Sequence, residues 1–107
     1  MFTRIVECYV KREKIEEFKD MVERLVLPIL RTQPGFVDLL ALSSEEEPER
    51  AMSISLWKSR ADAERYQRDH YHEILDAIHP LLVDEPSVEF YNVEASTSHH
   101  IAAGKAA

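Results

Sequence analysis

Four stretches that alternate at a period of two, separated by two stretches whose apolar residues recur at steps of three and four, predict an α+β domain. The order is β-α-β-β-α-β. Punctuation agrees with it: Gln33-Pro34-Gly35 and Pro80 stand where each helical period gives way. At 107 residues the chain has room for one such domain.

Residues 3–10, TRIVECYV, form the first predicted strand, with Val6, Cys8 and Val10 on one side and Ile5, Glu7 and Tyr9 on the other. Glu7 is the odd member, either a solvated edge residue or a polar group aimed into a pocket. In the next segment Ile15, Phe18, Val22, Leu25 and Ile29 mark the buried stripe of a helix. Its other side, with Glu16, Glu17, Lys19, Asp20, Glu23 and Arg24, is a solvated face. Pro28 lacks the N–H that a regular turn uses, so a kink or a tightened last turn is expected there. Gly35, free to take positive φ, ends the helix.

The second strand, 36–43 (FVDLLALS), alternates less cleanly, which suggests burial on both faces. SEEEPER, 44–50, is an exposed acidic turn and lacks the glycine and asparagine spacing of a calcium loop. The third strand, 51–57, is asymmetric. Met52, Ile54 and Leu56 are greasy, whereas Ala51, Ser53 and Ser55 are small and lead to Trp57, an arrangement that points to a cavity over the Ser53–Ser55–Trp57 face. Ser59 is a natural N-cap, with Asp62 placed for the positive end of the second helix. Along that helix an unbroken period puts Ala63, Tyr66, His70, Ile74 and Ala77 on one stripe. Residues 86–95 form the last strand, so the folded domain is 1–95 and 96–107 is an aperiodic tail.

This order is the ferredoxin-like split βαβ arrangement, a four-stranded antiparallel sheet with both helices on one face. The other face is bare and not uniformly polar, so a homodimer through it is expected.

Composition excludes several function classes. Thirteen Lys and Arg against twenty Asp and Glu give a net charge of −7, a poor match for nucleic acid or an anionic membrane. Two glycines, Gly35 and Gly104, cannot build a phosphate-cradling loop. The single Cys8 allows no internal disulfide and reads as a small buried hydrophobe, in keeping with a reducing cytoplasm. The start becomes charged too early for a signal-peptide core, and no apolar run reaches membrane-span length. Ser-His-Asp order and metal-ligand spacing are both missing, so no metal site is expected.

VKREKIEEF, LPILRTQPGFVDL, SISLWKSRADAERY and DHYHEILDAIHPLLVDEPSVEFYNV together resemble the antibiotic biosynthesis monooxygenase family over residues 3–94. The resemblance implies a dimeric α/β barrel with a pocket between each sheet and its helices. It implies a cofactor-independent monooxygenase of a small hydroxyaromatic or quinol, or a non-catalytic small-molecule-binding or stress-associated barrel. The signature of the family's haem-degrading members is missing: Val6 or Glu7, Tyr66 and Asp76 stand where those proteins carry Asn, Trp and His. The polyketide-oxidising members place an Asn four residues before the strand-end Trp; here Trp57 is kept and Ser53 takes the Asn position.

Oxygenation without a cofactor requires the substrate anion itself to reduce O₂. The protein must supply a dry slot, a proton acceptor and donors for the oxyanion. A histidine suits the acceptor, with an unperturbed pKa of ~6.5. His70, on the apolar stripe, is the first candidate, and His72, inward only if the helix bends, the second. Trp57, Tyr66, Ser53 and Tyr9 are the candidate substrate-binding residues. His99 and His100 lie in the tail and carry no catalytic expectation.

Overall fold

The computed structural model describes residues 1–99. Strands β1 (Phe2–Tyr9), β2 (Phe36–Ser43), β3 (Arg50–Trp57) and β4 (Ser87–Asn92) form one antiparallel sheet in the order β2-β3-β1-β4. Helices α1 (Ile15–Met21) and α2 (Leu27–Arg31) lie between β1 and β2, and α3 (Arg60–Asp69) and α4 (Tyr71–Ile78) between β3 and β4. The predicted ferredoxin-like α+β fold is therefore the observed one.

Register sorts the residues between faces. Phe2 pairs with Trp57, Arg4 with Ser55, Val6 with Ser53 and Cys8 with Ala51. Because partners in an antiparallel ladder share a face, this set points one way, and Ile5, Glu7, Tyr9, Met52, Ile54 and Leu56 the other. The buried core comprises Phe2, Cys8 and Trp57 from the sheet and Leu30, Ala63, Tyr66, Tyr71, Ile74 and Ile78 from the helices, which therefore cover the face that carries Arg4 and the two serines. On the opposite face Leu40 is 52% exposed and Leu42 45%, with Tyr9 and Tyr91 also exposed. Glu7, half-buried on that uncovered face, accepts hydrogen bonds from Arg50 Nη2 at 2.9 Å and Nε at 3.2 Å, so it lies neither free in solvent nor in a pocket.

The structure bears out one irregularity the sequence predicts and corrects two other expectations. At Pro28 the helix widens just before the proline, into a π-helical turn at Val22–Val26, and restarts with Pro28 in the first turn of α2. It closes on a tightened last turn, in which the Thr32 N–H donates to the Ile29 carbonyl at 3.2 Å and the Gln33 N–H to that of Leu30 at 3.0 Å. A first-turn proline needs no N–H donor, so the missing bond is absorbed there. Strand β2 is not buried on both faces; it is an edge strand with Leu40, Ala41 and Leu42 exposed. Its uneven alternation comes from a bulge between Phe36 and Asp38, where two steps on β2 match one on β3. Finally, the second long helix is broken: His70, at φ −130° and ψ −23°, separates α3 from α4. The break shifts the buried stripe by one residue, so Tyr71 and Ile78 are buried where His70 and Ala77 were expected.

Other local expectations hold. Gly35 has φ +78°, and a Cβ there would collide with the Asp62 carboxylate, so both space and conformation require glycine. Ser59 Oγ accepts from the Asp62 N–H at 3.2 Å and donates to Asp62 Oδ2 at 2.8 Å, capping α3. Among the described residues no helix is long and apolar enough to cross a membrane.

Candidate functional site

Small side chains on β1 and β3 leave space that the helices above do not fill. An inner cavity of about 90 Å³ lies between the sheet, where Val6, Cys8, Ala51, Ser53 and Ser55 form its floor, and a roof of Val22, Val26, Tyr66, Tyr71, Ile74 and Ile78. A water molecule occupies roughly 10–15 Å³ on this scale, so several fit. An outer cleft of about 310 Å³ shares Phe18, Val22, Ala41, Leu42 and Ala51 with it and runs out beside Lys19, Glu23, Ser43 and Pro48. The π-helical turn contributes Val22 and Val26 to the wall of the cavity.

The single charged residue among those lining the inner cavity is Arg4. It is 4% exposed and makes no ion pair among the described residues. Its Nε donates to Gln67 Oε1 at 2.6 Å. Its guanidinium carbon lies 4.1 Å from the Tyr71 ring centroid and 5.2 Å from that of Tyr66, a cation–π pairing on two faces. Burial lowers the pKa of Arg4, and the two tyrosines partly offset this. Arg4 Nη2 and Tyr71 Oη are buried without a hydrogen-bond partner.

A ladder of bonds fixes this arrangement. Trp57 Nε1 donates to Ser55 Oγ at 2.9 Å, and Ser55 Oγ donates onward to the Arg4 carbonyl at 3.2 Å. Thr3 Oγ1 donates to the Ser55 carbonyl at 2.7 Å. Trp57, wholly buried, stacks on Tyr66 with centroids 5.2 Å apart and meets the Phe36 ring edge-on at 5.5 Å. The other titratable groups of the inner cavity hold their protons. Burial, with Glu7 nearby, pushes the Cys8 thiol up to about 11, and burial pushes Tyr66 up to about 12 and raises Tyr71. At neutral pH all three are neutral, and both tyrosines are donors.

The sequence-derived candidates separate in space. Ser53 and Tyr66 line the inner cavity, and Trp57 supports it from behind through Ser55 and Tyr66. Tyr9 is on the uncovered face, 41% exposed. His70 lies outside the cavity, half-exposed at the helix break, with Nδ1 3.3 Å from Glu73 Oε1; His72 is exposed. The physical cause is the break itself, which turns Tyr71 inward in place of His70. Sequence reasoning missed Arg4 and Tyr71. The signal for Arg4 was present: it alternates with Val6, Cys8 and Val10, a charge on the apolar side of a strand.

The model of the family described as antibiotic biosynthesis monooxygenase matches residues 1–86. The chain belongs to that family. Solved structures agree with the assignment. A Nitrosomonas europaea protein grouped with the antibiotic biosynthesis monooxygenases is 25% identical, covering 89% of this chain and all of its own, at a TM-score of 0.74. A conserved protein of Methanosarcina mazei is 26% identical, over 86% of this chain and 92% of its own, at 0.73. SnoaB, a cofactor-independent oxygenase from Streptomyces nogalater, shares the fold at a TM-score of 0.76 with 16% identity, over 90% of this chain and 95% of its own. No curated protein matches the chain.

Proposed function

We propose that this member of the antibiotic biosynthesis monooxygenase family is a cofactor-independent monooxygenase of a small hydroxyaromatic or quinol, working as a homodimer. The observation that carries the reading is the apolar cavity under the helices, whose single charge is the buried Arg4. A hydroxyaromatic bound there sits among aromatic and aliphatic walls, with a fixed cation for its oxygen. Arg4 favours the ionised form of the substrate and so lowers its pKa, the step that makes the ring electron-rich enough to reduce O₂. One oxygen atom then enters a ring carbon, and the other leaves as water with two hydrogens from the substrate; hydroquinone plus O₂ gives hydroxyquinone plus water. Tyr66 and Tyr71 donate to the developing oxyanion, and Ser53 offers a hydroxyl on the floor. The proton leaves to solvent through the outer cleft, and no step is assigned to His70 or His72.

The uncovered sheet face supports the dimer. Leu40, Leu42, Met52, Ile54 and Leu56 make it apolar, and a second copy of the same face removes it from water.

One observation favours the runner-up, non-catalytic binding: no group lining the inner cavity is a base at neutral pH. O₂ uptake with a hydroquinone panel decides between the two. Uptake above buffer that falls in Arg4→Met is expected. Uptake lost in His70→Ala assigns the proton to that histidine, and no uptake with any substrate leaves the binding reading.

A further inference from the structure

We infer that the inner end of the cavity is a receptor for one anionic oxygen, taking a planar organic anion charge-inward with its apolar body toward the outer cleft. For the reaction this rests on the oxygenase reading; the binding claim stands on its own observations.

Arg4 is a cation held away from water with no carboxylate beside it among the described residues, a costly arrangement unless something else supplies the negative charge. Gln67 Oε1 and the faces of Tyr66 and Tyr71 hold three sides of the guanidinium, but none of them is an anion. What is left over is Nη2, and Tyr71 Oη on the ring that packs against the same guanidinium: two buried donors on residues that line the same cavity, neither in a hydrogen bond of good geometry. One oxygen carrying negative charge satisfies both and neutralises the cation. The donors are already fixed, so binding orders little, and that preorganisation favours affinity. Beyond them the walls turn apolar, through Val22, Phe18 and Ala41, so the rest of the ligand is hydrophobic. The ligand class is an aromatic carboxylate or phenolate. Nucleotides and sugars, with several charges or hydroxyls, find too few partners.

Calorimetric titration of the full chain at neutral pH with 2-naphthoate and its neutral analogue 2-naphthalenemethanol tests the receptor. The anion is expected to bind about tenfold more tightly or better, the scale of a charge-assisted hydrogen bond. In Arg4→Met the preference falls to about twofold or less, on the same scale. Tyr71→Phe, which removes one oxygen and keeps the ring, weakens naphthoate several-fold and leaves the alcohol unchanged. Thermal unfolding separates a receptor from a merely structural residue: Arg4→Met melts higher if the charge is there for a ligand and lower if it is there for the fold. A 2-naphthol arm separates the two anion sources, since proton release on binding extends the receptor to phenolates and its absence confines it to carboxylates. Equal affinity for naphthoate and the alcohol in the wild type, or a preference that survives Arg4→Met, overturns the inference. Anion binding without O₂ uptake sinks the oxygenase reading and leaves the receptor; O₂ uptake without anion preference does the reverse.

Discussion

The middle of this sheet inverts the usual arrangement. Apart from Phe2, Val6 and Trp57, the face under the helices carries Arg4, Ser53, Ser55 and Cys8, small or polar groups with a charge among them, while the face without helices carries Ile5, Met52, Ile54, Leu56, Leu40 and Leu42 beside the Glu7–Arg50 pair. A sheet built only for stability would bury the second set and wet the first. On the proposed function the two faces are completed differently, the covered face by a ligand and the bare face by a second copy of the chain.

Substitutions on the two faces test that contrast. The largest effect is expected at Trp57→Ala, which empties the fully buried anchor behind the cavity and costs about 3–5 kcal/mol in denaturant unfolding. Trp57→Phe should cost less and keep the packing against Tyr66.

Next in size is a pH effect confined to the covered face. Cys8 titrates at about 11 in the folded protein against an ordinary 9.0, so its contribution is complete below pH 9 and is lost as pH rises to about 11. Stability across that window should fall by on the order of 2–3 kcal/mol from this thiol. Cys8→Ala should flatten the decline, read as the change in unfolding midpoint between the two ends of the window.

At the rim of the covered layer, Ser59→Ala removes the α3 cap and should cost about 1 kcal/mol, measured by thermal unfolding. The smallest stability effect is expected on the bare face, where Leu40→Lys should stay within about 0.5 kcal/mol for a separated protomer. Its readout is association. The wild type should sediment as a dimer and the variant should shift toward the protomer; a wild type that sediments at 12.4 kDa contradicts the dimer.

Periodicity made the fold legible, because one register slip would carry Met52, Ile54 and Leu56 to the wrong face. The cavity was legible in part, since Ser53 and Ser55 opposite a greasy set announce a strand whose helix side is not packed full. Two backbone irregularities were not legible. The break at His70 falls within RDHYHE, with no glycine or proline to mark it, and its one-residue shift exchanged a histidine for Tyr71 at the cavity wall. The bulge at Val37 likewise has no turn residue to announce it. Arg4 was legible by alternation, but its meaning comes from what surrounds it, and only packing shows that it has no counter-charge.

Amide chemical-shift mapping during titration with 2-naphthoate tests the division between the faces most directly. Shifts are expected to concentrate on Arg4, Val6, Ser53, Ser55, Tyr66, Tyr71 and the turn at Val22–Val26, and to spare Leu40, Ile54 and Glu89. Shifts gathered on the bare face, or none at saturating probe, would contradict that division.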